Sequence, residues 1–456
     1  MPTDSHTHAQ IDAYIEAHLE HTLAELAELC AIPSVAAQGQ GIQECASRVA
    51  AALQARGMQA ELMPSAGNPV VLGEAAGTSE RTLLCYNHYD VQPAEPFDLW
   101  TSPPFELARR EGKLFARGVA DDKGELISRL AAIDAVRAVT GGLPCRVKIM
   151  VEGEEEISSP SLPAFVEHNA QRLAADACIW EFGAVAEDGT PVEYLGLRGI
   201  CYVEFSVDTL EQDAHSGLGG SILPNAAWRL VWALNSIKGP DGHIRIPGFY
   251  DQAIAPSARD MELLAALPNV DDEYRRLFGV KDFLHGLSGV ELRREEVFVP
   301  TSTICGLNAG YQGAGSKTVL PAHASAKMDF RLVLNQNPED IVSKLRAHLD
   351  AEGFRDVKVS YLGGGRPART DPDDPFIKIV CQAARDVYGR EPLIWPMIGG
   401  SGPNYLFTHH LKVPIGTLGV GYPGSRAHAP DENIRVDDFV RGVKHMARVL
   451  LAFGQA

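Results

Sequence analysis

A run of acidic residues directly after an apolar segment places the strongest constraint on how this chain can fold. The segment "KIMV" is followed by "EGEEE", so Glu154, Glu155 and Glu156 are consecutive and Glu152 lies close by. Carboxylates crowded in this way repel one another, and a bound cation would offset the repulsion. In α/β sheets, ligands bind just beyond the carboxyl ends of the strands. The pattern therefore predicts a strand with a cation site at its end, although an exposed acidic loop would give the same letters.

Two further apolar segments end in residues that bind metal ions. The segment "LLCYN" is followed by His88 and Asp90, and "ACIW" is followed by Glu181. Residues i and i+2 share one face of a strand, and a metal-bound imidazole commonly donates its other N–H to a carboxylate. We therefore expect Asp90 to orient His88. Taken alone, this motif is weak and is more typical of a surface histidine in a turn.

Loops contribute the remaining candidates. Asp121 and Asp122 are adjacent in "ARGVADDKGE", directly before a predicted helix, and His428 lies in "GSRAHAPDENI" before the last predicted helix. An acidic pair in that place could simply cap the helix, because carboxylates are favoured at helix N-termini. An aspartate can also bridge two cations, so both interpretations stay open for Asp121.

Together these residues form a set of ligands with a definite chemical character. They offer imidazole and carboxylate donors and no cysteine, which suits zinc or another borderline divalent metal. Five such residues at strand ends could build a two-metal site with one bridging carboxylate. One glutamate of the adjacent pair Glu155 and Glu156 would then bind metal, and the other would act as general base on water.

The pattern of apolar segments divides the chain into parts. A chain of 456 residues is expected to form two or three domains. Before residue 196, short strands alternate with helices, which predicts an α/β fold with parallel strands. From "RGICYVEFSVD" onward the strands alternate in polarity, which predicts an α+β sandwich with a mainly antiparallel sheet. We expect one domain from residues 1–195 and 366–456, with residues 196–365 inserted as a second domain.

Composition excludes several classes of function. The chain has 41 Lys+Arg against 59 Asp+Glu and a net charge of −18, which argues against a nucleic-acid partner. Its 8 cysteines are scattered without a C-x-x-C pair, and several lie in apolar runs such as "STICGL", so we expect buried, reduced thiols. The start "MPTDSHTHAQ" has no apolar signal segment, and no run of apolar residues is long enough to span a membrane. The cytoplasm is the expected location.

Two other kinds of protein were weighed against a metal-dependent enzyme. The segment "IGGSGPNY" resembles the G-x-S-x-G turn of serine hydrolases, but Pro403 stands where the last glycine is needed. Ser401 is instead expected to line a substrate pocket. A non-catalytic binding protein on a decayed fold would have lost ligands, whereas every expected position holds a competent residue.

The motifs together identify a family. "NHYDVQP", "ARGVADDKG", "VEGEEE", "DAHSG", "FRLV" and "RAHAPDE" occur in the order and spacing of the M20 metallopeptidases, and the chain resembles this family over nearly its whole length. The resemblance implies a zinc-peptidase-type catalytic domain with a mixed, largely parallel sheet, and an inserted α+β sandwich that serves as lid and dimerisation domain. It also implies two divalent metal ions per subunit, Zn²⁺ first, with Mn²⁺ or Co²⁺ possible. A homodimer without nucleic-acid or membrane partners is expected.

The resemblance also assigns roles to the metal-binding candidates. Asp121 would bridge both ions, and the peptide bond between Asp121 and Asp122 would be cis. The remaining ligands would be His88 and Glu181 for one ion, and Glu156 and His428 for the other. Glu155 would be the general acid and base, and Asp90 would orient His88.

The resemblance places further roles in the inserted domain. His215 in "DAHSG" would enter the partner subunit's active site and polarise the scissile carbonyl. Arg331 in "FRLV", together with Asn308, would clamp the carboxylate of the substrate, because the planar guanidinium of arginine binds a carboxylate bidentately. The implied reaction is cleavage of dipeptides or short peptides with a free C-terminal carboxylate. The alternative within the family is an N-acyl-amino-acid deacylase.

Three departures from the family pattern bear on these expectations. Ser158 replaces a glycine in "EGEEEISS", which is expected to alter the turn and not the ligands. Residue 181 is glutamate where many dipeptidases of the family carry aspartate, although some members use glutamate. The linker "GRPARTDPDDP" lacks the histidine of carnosinase-like members, which argues against β-alanyl-histidine as the substrate.

Overall fold

The chain forms two compact units. The structure is a computed structural model and describes residues 5–456. The first unit consists of the chain up to Leu195 together with Arg369–Pro396 and Leu406–Ala456, and the second consists of Gly196–Ala368 and Met397–Tyr405. The second unit is therefore an insertion into the sequence of the first, followed by one short additional segment.

That short segment corrects the predicted extent of the second part of the catalytic domain, 366–456. Residues 366–368 and 397–405 belong to the second unit instead. The physical reason is backbone pairing over a long sequence separation. The amide of Ile398 donates to Gly196 O at 3.0 Å, and the amide of Arg198 donates to Gly400 O at 2.9 Å. Such pairing leaves no trace in local hydrophobic periodicity.

Helices and strands alternate along most of the chain. Up to residue 195 they are α1 (Ser5–Ala17), α2 (Leu19–Cys30), α3 (Ile42–Ala55), β1 (Gln59–Met63), β2 (Val70–Ala75), β3 (Thr82–His88), β4 (Ala108–Arg110), β5 (Lys113–Phe115), α4 (Lys123–Thr140), β6 (Arg146–Glu152), α5 (Leu162–His168), α6 (Ala170–Leu173), β7 (Ala177–Ile179), β8 (Ala184–Val185) and β9 (Pro191–Tyr194). The following elements are β10 (Gly196–Leu197), β11 (Gly199–Asp208), β12 (Ala214–His215), α7 (Ser216–Gly219), α8 (Ala226–Ile237), α9 (Ala258–Ala266), α10 (Asp271–Phe278), α11 (Gly289–Phe298), β13 (Thr301–Ala309), β14 (Val319–Leu320), β15 (His323–Leu332), α12 (Pro338–Ala351), β16 (Lys358–Gly365) and β17 (Ala368–Arg369). The last elements are α13 (Pro375–Tyr388), β18 (Leu393–Trp395), α14 (Asn404–Leu406), β19 (Ile415–Gly416), β20 (Asn433–Arg435) and α15 (Val436–Gln455).

The first unit is built on a six-stranded mixed sheet with the strand order β1-β2-β6-β3-β7-β19. Strand β3 runs parallel to β6 and β7, and β7 runs parallel to β19, whereas β1 and β2 pair antiparallel with their neighbours. All seven residues of β3 are buried, as expected of a parallel strand covered on both faces. The predicted mixed, largely parallel sheet is confirmed.

The register of this sheet decides where the candidate ligands lie. In the parallel pair of β3 and β6, His88 lies opposite Glu152. The segments that follow the two strands therefore leave the sheet at the same edge. Strand β7 lies on the other side of β3, so the residue that follows its "ACIW" run, Glu181, leaves the sheet at that edge as well.

Helix α4 carries the chain away from this edge. It begins directly after Asp122 and ends at Gly141, which adopts the left-handed conformation with φ 77° that glycine tolerates. Most of its residues are buried, including the charged Lys123, Glu125 and Arg129. A helix with charged residues in its buried face must satisfy them inside the protein.

The second unit contains a four-stranded antiparallel sheet with the order β13-β15-β11-β16. Strand β11 buries Cys201, Val203, Phe205 and Val207 in alternation, as its sequence predicts. Helices α8 and α12 pack on this sheet through one common apolar cluster. The unit has the predicted α+β architecture.

Two expectations from the composition concern the cysteine thiols and membrane-spanning helices. Seven of the cysteines are free and buried, whereas Cys305 is exposed. The expectation of a buried thiol was wrong for Cys305 because β13 is an edge strand, and most of its residues are not covered. Among residues 5–456, no helix combines the length and apolar character needed to cross a bilayer.

Candidate metal centre

Asp121 lies between two histidines that are distant in sequence. Its Oδ1 is 2.9 Å from His88 Nε2, and its Oδ2 is 3.0 Å from His428 Nε2. His428 Nε2 is also 3.1 Å from Glu156 Oε2. Each oxygen of one carboxylate therefore faces a different imidazole, which is the arrangement needed for a carboxylate shared by two ions.

Three of these residues meet the geometry of a single cation site. The candidate ligand atoms of Asp121, Glu156 and His428 all lie within 4.8 Å of one another. His88 and Glu181 are not members of that compact group. They lie at the ends of the neighbouring strands β3 and β7, and His88 is hydrogen-bonded to Asp121.

Two carboxylates of the centre have a buried oxygen that is left unpaired. Among the described residues, Glu156 Oε1 and Glu181 Oε2 are buried oxygens without a hydrogen-bond donor. An unpaired buried carboxylate oxygen is unfavourable, and a cation would satisfy it. The donor set therefore fits divalent metal ions on a structural criterion that is independent of the sequence motifs.

Burial also dominates the protonation of these groups. Burial raises the pKa of Glu155 to about 7, with His88 opposing the shift and Asp121 adding to it. Burial likewise raises the pKa of Glu181 well above its ordinary value, with Glu155 as the next contributor. Burial acts in the same direction on Asp121, but hydrogen bonds from His428 and His88 outweigh it and hold that pKa below its ordinary range. The aspartate is thus ionised between its two histidines.

Asp90 orients more than the histidine that the sequence predicts. Its Oδ1 is 3.4 Å from His88 Nδ1, while the carbonyl oxygen of Asp90 is closer to that nitrogen, at 3.0 Å. Its two carboxylate oxygens accept hydrogen bonds from the amides of Glu155 at 3.2 Å and Glu156 at 3.0 Å. Asp90 therefore fixes the 3₁₀ turn Glu155–Ile157 that presents both glutamates.

Ser158 ends this turn. The alteration of the turn that was expected from serine in place of glycine is not seen. Ser158 adopts a left-handed conformation with φ 73°, and its amide donates to Glu155 O at 2.8 Å. A glycine reaches this conformation without steric cost, and serine reaches it with some strain. The turn suited to glycine is retained with serine in place.

Glu432 supports the loops of the candidate centre, and the sequence motifs assigned it no role. It is fully buried, and its carboxylate accepts hydrogen bonds from Arg117 Nη1 at 2.7 Å and from the amides of Ala120 at 2.8 Å and Asp121 at 3.1 Å. It follows His428 by four residues in the same loop. Glu432 therefore ties the loop that carries His428 to the loop that carries Asp121. The only sequence signal was its place within "RAHAPDENI".

The peptide bond between Asp121 and Asp122 is cis, as the resemblance implied. The Asp122 carboxylate turns toward the sheet. Its Oδ2 accepts hydrogen bonds from Asn87 Nδ2 at 2.6 Å and from the amide of His88 at 3.0 Å. The two adjacent aspartates therefore act in different directions, one toward the histidine side chains and one toward the backbone of β3.

The residues predicted to bind substrate lie in the second unit. Arg331 Nη1 donates to Ser401 Oγ at 2.9 Å, and its Nε is 3.3 Å from Asp329 Oδ2. Arg331 and Ser401 are thus brought together. Asn308 lies exposed on the edge strand β13, and within residues 5–456 it forms no hydrogen bond to either of them.

His215 lies at the start of the short helix α7. Its Nδ1 accepts a hydrogen bond from the amide of Gly217 at 3.0 Å, and its Nε2 is 3.4 Å from Thr318 Oγ1. The side chain is exposed. A local hydrogen bond therefore holds one ring nitrogen, and the other lies near the surface of the second unit.

Comparison with known proteins decides the family. The sequence profile of peptidase family M20/M25/M40 matches residues 84–452, which is most of the chain. The chain belongs to this family. The resemblance predicted from the motifs is confirmed, and membership makes this M20 protein a metal-dependent peptidase.

The relatives of this M20 protein are similar over most of their length. The human β-Ala-His dipeptidase is 29% identical over 403 residues, covering 85% of this chain and 78% of the relative. The Cys-Gly metallodipeptidase dug1 of Schizosaccharomyces pombe is 29% identical over 386 residues, covering 82% and 81%. The crystal structure of the M20 family metallo-carboxypeptidase Sso-CP2 from Sulfolobus solfataricus is 34% identical, with a TM-score of 0.90, and covers 95% of this chain and 99% of that one. The fold is therefore that of M20 peptidases.

Proposed function

We propose that this M20 protein hydrolyses the peptide bond of dipeptides, or of short peptides with a free C-terminal carboxylate, with two divalent metal ions per subunit. The observation that carries the proposal is Asp121, whose two oxygens face His88 and His428 separately. Glu155, a half-buried residue, follows strand β6 at the same edge of the sheet. A shared carboxylate and a nearby proton carrier are the parts that a two-metal hydrolase requires.

The ligands divide into two sets around Asp121. His88 and Glu181 would hold one ion with it, and Glu156 and His428 would hold the other. The unpaired oxygens of Glu156 and Glu181 support this division, since one belongs to each set. Imidazole and carboxylate donors suit Zn²⁺, and Mn²⁺ or Co²⁺ accept the same donors.

Glu155 would carry the proton. Divalent cations at this centre supply Lewis acidity, which polarises a carbonyl group and lowers the pKa of water. A carboxyl beside the metal ions can accept a proton from water and return it to the leaving amine, and burial, which raises the pKa of Glu155, favours its holding that proton in between. Asp90 supports this role because it holds the amides of Glu155 and Glu156 in one turn.

Arg331 would bind the C-terminal carboxylate of the substrate. Its guanidinium is held by Ser401 and Asp329, so the side chain is oriented before a substrate arrives. A planar guanidinium pairs with a carboxylate through two parallel hydrogen bonds. Ser401 would line the same pocket, and Asn308 would contribute a further polar contact.

The relatives favour dipeptides over N-acyl amino acids. Three similar proteins carry the names β-Ala-His dipeptidase, Cys-Gly metallodipeptidase and cysteinylglycine-S-conjugate dipeptidase, and the last of these covers 91% of this chain. None of them is named as a deacylase. The substrate of the present chain would accordingly have a free amine as well as a free carboxylate.

A substrate panel tests this assignment. We expect the metal-loaded enzyme to cleave Ala-Gly and Cys-Gly with a higher kcat/KM than the matched N-acetyl amino acids. Dipeptide amides serve as the control, because they lack the carboxylate that Arg331 would bind and should show a raised KM. Hydrolysis is measured by the release of free amino acid. A higher kcat/KM for the N-acetyl amino acids would contradict the proposal.

We also propose a homodimer formed through the second unit. Helix α8 exposes Trp228, Val231 and Trp232 by 57%, 41% and 54%, and the edge strand β13 exposes Ile304 and Leu307 by 48% and 56%. An exposed apolar edge strand is normally paired or covered. A two-fold axis would pair β13 with its own copy and pack α8 against its own copy, which buries both sets of side chains.

Within such a dimer, His215 would act on the metal centre of the partner subunit. Complementation tests this role. We mix an inactive His215→Ala chain with an inactive Glu155→Gln chain and allow the subunits to exchange. A heterodimer contains one site with both residues intact, so about a quarter of wild-type activity should return after statistical exchange. Activity is measured on the best dipeptide, and each variant alone is the control.

Two outcomes of this experiment are informative. Restored activity supports a shared active site. If heterodimers form, as native mass spectrometry would detect, and activity stays at the level of the separate variants, His215 acts within its own chain or not at all.

The proposed location is the cytoplasm. Seven free cysteines are buried and sheltered from oxidation, which is compatible with a reducing compartment. The net charge of −18 disfavours nucleic acid and an anionic membrane as partners.

A further inference from the structure

A buried arginine lies beneath the metal centre and belongs to none of its motifs. Arg129, in the second turn of helix α4, has no exposed surface. Its Nη1 donates to Tyr86 O at 2.9 Å and to Asn87 Oδ1. Its Nη2 donates to Trp180 O at 2.5 Å and to Glu181 O at 2.6 Å. One guanidinium therefore joins the carboxyl ends of two neighbouring strands, β3 and β7.

These contacts lead directly to two of the proposed metal ligands. The main chain of Glu181 is held by Arg129 itself. Asn87, the other acceptor, donates through Nδ2 to Asp122 Oδ2 at 2.6 Å, and that oxygen also accepts the amide of His88 at 3.0 Å. Arg129 thus fixes the backbone from which the side chains of Glu181 and His88 project.

The other two ligands are positioned by different residues. Glu156 is held through its amide by Asp90, and the loop of His428 is held by Glu432. Within residues 5–456, the hydrogen bonds of Arg129 go to Tyr86, Asn87, Trp180 and Glu181, and none goes to either of these segments. Of the four flanking ligands, Arg129 therefore supports the segments of His88 and Glu181, whereas Asp90 contacts both His88 and the turn of Glu156.

We propose that Arg129 is a positioning residue that presets His88 and Glu181 for one of the two metal ions and leaves the other ion unaffected. This inference rests on the proposed two-metal function and deepens it. Arginine suits the task because its fixed fork of donors reaches four acceptors in one plane, which the single ammonium of lysine cannot do. Residues that orient metal ligands commonly affect metal affinity by about 10- to 100-fold when they are replaced.

The test is a Co²⁺ titration of the full-length apoprotein carrying Arg129→Lys, followed by absorption spectroscopy and calorimetry. We expect two equivalents to bind to the wild type. In the variant, one equivalent should bind with wild-type affinity, and the other should weaken by about 10- to 100-fold with an altered d–d spectrum. Arg448→Lys is the matched control, because Arg448 is a buried arginine of the same unit whose partners are Asp12 and His8 O.

Each outcome of the titration has a separate meaning. Fewer than two equivalents on the wild type would overturn the two-metal function itself. Two unchanged equivalents on Arg129→Lys, or equal weakening of both, would overturn the inference while the proposed function stands. A merely structural role would lower the thermal stability of both lysine variants without selecting one ion.

A second variant covers the case in which Arg129→Lys does not fold. Asn87→Ala removes the link between Arg129 and Asp122 and keeps the arginine. We expect the same selective weakening of one equivalent, in smaller degree, because the contact of Arg129 with Glu181 O remains. Normal binding of both equivalents by Asn87→Ala would then overturn the inference.

Discussion

Replacing Glu155 with glutamine should lower kcat by on the order of a hundredfold or more while both metal ions stay bound. Glutamine has nearly the same size but cannot accept a proton at neutral pH, so the proton transfer fails and the ligands are unchanged. The measurement combines steady-state kinetics on a dipeptide with metal analysis of the same preparation. Retained turnover at full metal content would remove Glu155 from this role.

The neighbouring glutamate supplies a matched control. Glu154 accepts hydrogen bonds from the amides of Asn68 at 3.0 Å and Ser161 at 3.1 Å, and these contacts lie away from the ligands. Glu154→Gln should lower stability, because one carboxylate oxygen becomes an amide that faces a donor, and it should leave kcat near the wild-type value. On this proposal the three consecutive glutamates would have three roles: Glu154 in structure, Glu155 in proton transfer and Glu156 in metal binding.

Replacing Asp121 with alanine should empty both metal positions, whereas replacing His428 with alanine should empty mainly one. The reason is the geometry of Asp121, since each of its oxygens faces a separate histidine. The measurement is metal stoichiometry after equilibrium dialysis, with circular dichroism to show that each variant is folded. Unchanged stoichiometry in Asp121→Ala would show that this residue does not bridge.

The comparison of these two variants carries its own control. His428 contributes to a single set of ligands, with Glu156 and Asp121, so about one equivalent should remain in its absence. If His428→Ala lost both ions as completely as Asp121→Ala, the ligands would behave as one cooperative group, and the division into two sets would be wrong.

The parts of the fold that could be predicted are those that depend on the local pattern of apolar, polar and glycine residues. Strands β3 and β6 are short apolar runs, helix α4 ends at a glycine pair, and the change to alternating polarity near residue 196 marks the start of the second unit. Segment 397–405 could not be assigned in this way, because its place depends on hydrogen bonds to residues about 200 positions earlier. Cys305 was misjudged for a similar reason, since neighbouring letters do not show that a strand lies at an edge.

The residues of the candidate centre were also predictable only where the local sequence pattern marks them. His88, Glu155 and Glu181 were identifiable because each follows an apolar strand, where ligands gather. Arg129 and Glu432 were not, because a charged residue in an amphipathic helix or a loop ordinarily faces water. Only the structure shows that both are fully buried, with their charges turned toward the backbone of the ligand-bearing segments.

The wide spacing of the ligands along the chain has a consequence for biosynthesis. His428 and Glu432 follow Glu181 only after the whole inserted unit, and strand β19 and helix α15 also belong to this last part of the chain. A ribosome would therefore release the inserted unit before the sheet of the first unit received its final edge strand. Contacts over such long separations form slowly. During that interval the nascent chain would carry four of its five proposed metal ligands on an incomplete sheet, and a chaperone would protect it at this stage of synthesis.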